Sequence, residues 1–81
     1  MNDEIGYKVY RKLAYFYENR IPVHFKLING IWKNGIILEL NVNKLILILR
    51  EFVEGEQPFL LEEIREDSIM RFREKGGENE M

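Results

Sequence analysis

Two Asn-Gly pairs, Asn29-Gly30 and Asn34-Gly35, lie within one stretch, PVHFKLINGIWKNGIILELNVN at residues 22–43. They cannot both be hairpin turns, because only Ile31, Trp32 and Lys33 separate them. Asn-Gly suits a two-residue type I′ turn, whose central residues both need positive φ, and the first pair is flanked by Lys26-Leu27-Ile28 and Ile31-Trp32-Lys33. The first pair is therefore expected to turn the chain, and the second falls inside the returning strand. A strand glycine marks a bulge, a sharp bend or a close backbone approach. Gly35 is read as the point where the strand curls, and a tight hairpin followed by a bent second strand is what a small barrel needs to close on itself.

A chain of 81 residues makes one domain, and a domain this small buries a modest fraction of its surface when it stands alone. There is no cysteine, hence no disulfide framework and no thiolate metal site. One histidine cannot assemble nucleophile, base and orienting group, so no enzyme and no cofactor is expected. No apolar run approaches the roughly 20 residues of a membrane span, and the N-terminus lacks the layout of a signal peptide. A cytoplasmic protein is expected. Net charge is only −2, but residues 1–50 carry eight Lys/Arg against four Asp/Glu, while residues 51–81 carry four against ten. Such asymmetry implies a polarised surface, and it could equally orient subunits against one another.

A helix is expected over about 3–19, with Asp3 placed to cap it and Ile5, Val9, Leu13 and Phe16 on one stripe. Tyr7, Tyr10, Ala14 and Tyr17 form a second stripe, expected to pack on protein partners. Pro22 disfavours helical geometry at Ile21, so the helix should stop near Asn19-Arg20. The barrel is expected over about 22–73. Its first strand, Val23 to Ile28, presents Val23, Phe25 and Leu27 on one face, and puts His24 on the more polar one as a surface residue rather than a metal ligand. A second strand is read over Ile31–Leu40 and a third over Leu45–Phe52, joined by the turn Asn41 to Lys44. In LILILREF both alternating sets begin apolar, so the outer face needs the helix, a second subunit, or both. A short turn at 54–57, a fourth strand over Pro58–Leu61, a charged connection to Ser68 and a fifth strand over Ile69–Arg73 complete the domain. Phe25, Leu27, Ile37, Leu47 or Ile48, Leu60 and Ile69 are the expected interior. Residues 74–81 read as a disordered acidic tail.

One helix followed by five short strands, with this first motif, resembles the Sm-like (LSm) RNA-associated proteins, in particular compact members of archaeal type. The first Sm motif is similar to Val23 to Gly30 with Gly35, Ile37, Leu40 and Asn41, and the second to Ile64-Arg65-Glu66-Asp67-Ser68-Ile69. The resemblance implies a mainly β fold, an N-terminal helix on a five-stranded, strongly bent antiparallel small barrel of SH3 type. It also implies a homo-oligomeric ring that binds single-stranded RNA in RNA metabolism. In the family an Asp and an Asn near the turn between strands two and three, with the Arg and Gly of the second motif, hold a uridine. Here Asn41 stands for that Asp, Leu45 falls at the Asn, Glu66 replaces the Gly, and Arg65 is kept. Asn41, Asn43, Lys44 and Arg65 are the implied RNA-binding residues. Arg11, Lys12, Arg20, Lys26 and Lys33 make a further basic face, solvated by default. The alternative is an Sm-fold scaffold that oligomerises without a uridine pocket and meets proteins through Tyr7, Tyr10 and Tyr17.

Overall fold

A computed structural model describes residues 3–73. Helix α1, Asp3–Glu18, starts with Asp3 and Glu4 in its first turn, where carboxylates oppose the helix dipole favourably. Asp3 is thus a first-turn residue and not the cap. The helix ends where expected. Arg20 adopts a left-handed backbone (φ 54°), Ile21 N–H donates to Phe16 O at 3.0 Å and Arg20 N–H to Tyr17 O at 3.3 Å, the two bonds of a Schellman ending, and Pro22 follows.

The strands are β1 (Val23–Lys26), β2 (Trp32–Asn41), β3 (Ile46–Glu51), β4 (Gly55–Leu60) and β5 (Met70–Arg71), in the antiparallel order β4-β3-β2-β1-β5. The sheet is open: β4 forms one edge and β5 the other, so the expected closed barrel is not formed. The cause is the chain's path after β4. Two 3-10 turns, Leu61–Glu63 and Glu66–Ser68, carry it from the β3 side, where Leu61 N–H donates to Leu45 O at 2.9 Å. They deliver it to the β1 side, where Arg65 N–H donates to Lys26 O at 2.9 Å and Leu27 bridges Ile64. The two residues of β5 then pair with Val23 and His24 of β1 and leave β4 without a second neighbour.

The first hairpin differs from expectation by one residue of register. Only Gly30 has positive φ (94°), so the turn is not type I′. Leu27 N–H donates to Ile31 O, Gly30 N–H donates to Leu27 O, both at 2.8 Å, and the Asn29 side chain accepts from Ile31 N–H at 3.0 Å. This is a three-residue loop, Ile28-Asn29-Gly30, with glycine in the left-handed position and the Asn side chain bracing it. Lys26 therefore faces Trp32 and His24 faces Asn34, while Val23 faces Gly35.

Gly35 is not the site of the bulge. Pairing slips three residues later, where Ile37 faces Leu49 and Glu39 faces Ile48, leaving Leu38 unpaired. Gly35 instead answers to close approach: a Cβ there would press into the Arg50 carbonyl and stand 2.9 Å from Glu51 Cα.

The core lies between the inner sheet face, α1 and the first 3-10 turn. Val9, Leu13, Val23, Phe25, Leu47, Leu49, Leu61 and Ile64 are fully buried, with Leu27 and Ile37 nearly so. Phe25 meets the edge of Phe59 at 5.9 Å between ring centroids. Of the expected interior, Leu47 rather than Ile48 is inside, and Ile69 packs at the margin. Leu60 is a correction. It stands opposite Ile46 on the outer face and is 45% exposed, because the β3–β4 register turns Phe59 inward beside Leu47. Ile5 of the expected helix stripe is also exposed. β4 begins at Gly55, earlier than expected, and carries Pro58 on an edge strand, where a missing N–H is tolerated. The expected tail at 74–81 lies outside the described residues, and no helix among those described is long and apolar enough to cross a membrane.

Candidate nucleic-acid interface

The implied RNA-binding residues sit on two loops, and their polar side chains do not share a pocket. Asn41 ends β2, and its Oδ1 accepts from Lys44 N–H at 2.8 Å, so the amide braces its own turn. Asn43 and Lys44 are exposed at the tip of that turn. Arg65 lies between the two 3-10 turns with its Nε 3.6 Å from Asp67 Oδ1, and faces a hollow of about 350 Å³ shared with Ile5, Lys8, Ile28 and Glu66. None of Asn41, Asn43 and Lys44 lines this hollow. Leu45, in the place of a base-reading amide, packs against the core and donates no hydrogen bond from its side chain.

The basic face expected from helix and hairpin is divided by ion pairs. Lys12 Nζ meets Glu66 Oε2 at 3.4 Å. Lys33 Nζ meets Glu54 Oε1 at 2.8 Å with its side chain only 14% exposed, and passes over the Phe59 ring. The Lys33 hydrogen bond and charge, followed by a hydrogen bond from Gln57, hold the Glu54 carboxyl below the ordinary carboxylate range. The tyrosine stripe divides as well. Tyr7 and Tyr17 are exposed, whereas Tyr10 packs against the core, and Tyr15 is a more open ring than any of the three.

A third group was hidden from the sequence because it depends on strand pairing. With Lys26 opposite Trp32 and His24 opposite Asn34, all four side chains rise from one face of the β1–β2 pair. The His24 and Trp32 rings stack at 4.1 Å with 5° between planes, and Lys26 Nζ stands 5.7 Å from the Trp32 centroid. A hydrogen bond joins His24 Nδ1 to the Asn34 side-chain amide, which fixes the ring's orientation. Phe72 continues the row at 6.3 Å from His24, and Phe52 follows at 5.2 Å from Phe72. Backbone bonds hold both phenylalanines, Phe72 N–H to Pro22 O at 2.9 Å and Phe52 N–H to Asn34 O at 3.0 Å.

Comparison with known proteins adds no relative. No family model, curated protein or solved structure matches this chain. Among the described residues, no three His, Cys, Asp or Glu side chains converge to hold a metal. The exposed surfaces include a stacked aromatic row with Lys26 beside it, two open sheet edges, and an outer apolar strip at Ile46, Ile48, Pro58 and Leu60.

Proposed function

We propose that this chain is a non-catalytic, Sm-like module that self-associates into a ring and binds single-stranded RNA. The observation that carries the reading is the open sheet with β4 at one edge and β5 at the other, beside an outer face that leaves Leu60 45% exposed. Two different free edges on one chain can pair head to tail, and such a contact closes into a ring when its rotation allows. The strand order and the helix over one sheet face fit the resemblance carried by the two sequence motifs. RNA binding rests on that resemblance and on the surplus of cations in the first fifty residues.

A second reading, an Sm-fold protein-interaction scaffold, is favoured by the state of the loop residues. Asn41 is engaged with its own turn, and Arg65 is paired with Asp67 beside Glu62, Glu63 and Glu66. Native mass spectrometry of the full chain, with fluorescence anisotropy on labelled oligo-U, oligo-A and mixed-sequence RNA across a salt series, separates the two. Rings with salt-dependent RNA affinity support the proposal. Rings without RNA affinity select the scaffold, and a monomer at all concentrations removes the ring. If the loops read the RNA, Arg65→Ala weakens binding and lowers the salt slope by about 0.7 per subunit engaged.

A further inference from the structure

We propose that the RNA contact is made on the outer face of the β1–β2 hairpin by the aromatic row Trp32, His24, Phe72 and Phe52, with Lys26 binding phosphate, rather than on the turn and 3-10 loops. This rests on the RNA binding proposed for the chain and deepens it by moving the site.

Binding of single strands without base reading combines aromatic faces, on which bases stack, with cations along the backbone path. Both are present here. Consecutive ring centroids lie 4.1, 6.3 and 5.2 Å apart, so the rings form a continuous row instead of isolated surface residues. Trp32 keeps one face against His24 and remains 41% exposed, and Phe52 is 50% exposed. Burying such rings is ordinary; holding them in register on an open face by backbone hydrogen bonds from Phe52 and Phe72 is not required for packing the core. Beside the row opens a hollow of about 480 Å³ lined by His24, Met70, Arg71, Phe72 and Arg73.

The charge has the sign a phosphate chain needs. Lys26 makes no ion pair among the described residues, in contrast to Lys12, Lys33 and Arg65, which all do. Glu51, the carboxylate next to Phe52 in sequence, is buried, its Oε1 taken by Val53 and Glu54 N–H groups at 2.8 and 2.7 Å. The row therefore offers π-faces together with a cation that makes no ion pair among the described residues, whereas the loop site offers one arginine already facing Asp67. No side-chain amide on the row is free to discriminate bases, since Asn34 is committed to His24. The site should prefer single strands to duplex and be tolerant of sequence.

Trp32 is the only tryptophan in the chain, so its fluorescence reports on this face directly. The full-length protein is titrated with unlabelled twelve-nucleotide RNAs while tryptophan emission is read, and with labelled ones for anisotropy. The expected result is saturable quenching with the same midpoint as the anisotropy change. Trp32→Leu should weaken binding about ten-fold or more and Trp32→Phe much less, because a phenyl ring still stacks. Lys26→Ala should lower the salt slope by about 0.7. The Lys26 change spares the fold, since its contacts to Ser68 and Arg65 run through the backbone. Thermal melts of each variant confirm that it is folded. RNA binding that leaves Trp32 unquenched, or that survives Trp32→Leu and Lys26→Ala but falls with Arg65→Ala, overturns the outer-face site and keeps the function. A Trp32→Leu variant whose sedimentation changes while its RNA affinity does not would make the row a contact between copies, and also overturns the site. Absence of RNA binding altogether overturns both this inference and the RNA-binding function.

Discussion

Leu45 lies against Gly6: a Cβ at position 6 would come 3.1 Å from Leu45 Cδ1, and Leu45 reaches this contact from a left-handed backbone with φ 54°. A bulky residue rarely occupies that region, because its Cβ crowds the following carbonyl at a cost of about 1–2 kcal/mol. The packing of Leu45 on the helix and core offsets the cost. The position serves to dock α1 on the turn between β2 and β3.

Two substitutions separate these opposing effects. Leu45→Ala removes the packing and keeps most of the backbone strain, so it should destabilise by about 1–3 kcal/mol. Leu45→Gly removes both and should be more stable than Leu45→Ala by up to about 1 kcal/mol, the reverse of the order in an ordinary strand or helix. Urea denaturation of the pair measures the difference, and alanine proving the better residue would contradict the left-handed turn.

Gly35 and Gly30 should respond differently to the same methyl group. Gly30→Ala meets open space, and only its φ of 94° is penalised, so a loss of about 1–2 kcal/mol is expected. Gly35→Ala would drive a Cβ into the backbone of Arg50 and Glu51, which must part to admit it, and should cost about 3 kcal/mol or more. Thermal unfolding of both variants is the measurement. Similar losses would mean that Gly35 does not stand opposite Glu51 in the β2–β3 pair.

Ser68 ties the second 3-10 turn to β1. Its Oγ accepts from Lys26 N–H at 2.9 Å and donates to Arg65 O at 2.6 Å, while the residue is buried. Ser68→Ala leaves the part-buried Lys26 N–H without its acceptor, while Arg65 O keeps the Ser68 N–H at 3.0 Å, for a loss of about 1–3 kcal/mol. Hydrogen exchange at Lys26 N–H should accelerate in the variant; an unchanged rate would place the hydroxyl elsewhere.

Acid should weaken the Lys33–Glu54 pair in a defined direction. A carboxyl whose pKa is depressed in the folded state contributes stability that is fully present above the unfolded value, about 4.3, and lost as pH falls through the folded one. Because Glu54 is exposed, the contribution is screened by salt. In Lys33→Met the Glu54 carboxyl should titrate higher than in the wild type. A carbon-detected NMR titration reads this directly, and an unchanged midpoint would assign the depression to some other partner.

The sequence by itself determined those elements whose signal is local. Alternation placed Val23, Phe25 and Leu27 on the buried face, the helical stripe placed Val9 and Leu13, and Pro22 with Asn19-Arg20 ended the helix. In each case periodicity or a single backbone constraint is enough. The two apolar sets of β3 likewise announced a strand with an outer face that remains half-buried at Ile46 and Ile48. Pairing between strands was decided by tertiary structure, because one residue of register changes every cross-strand neighbour. The three-residue loop at Ile28-Asn29-Gly30 set Lys26 against Trp32, and the unpaired Leu38 moved the bulge away from Gly35. The path of the two 3-10 turns sent β5 to β1 and left the sheet open. The candidate site shows the same division. Asn41, Asn43, Lys44 and Arg65 could be named from a motif, but whether their polar groups face one pocket depended on turns that hold Asn41 and Arg65 with neighbours of their own. His24, Trp32, Phe52 and Phe72 carry no motif and are scattered over forty-nine positions of the chain. Only strand pairing and the two anchoring backbone bonds put their rings in a row, since a cross-strand contact has no signature in local spacing.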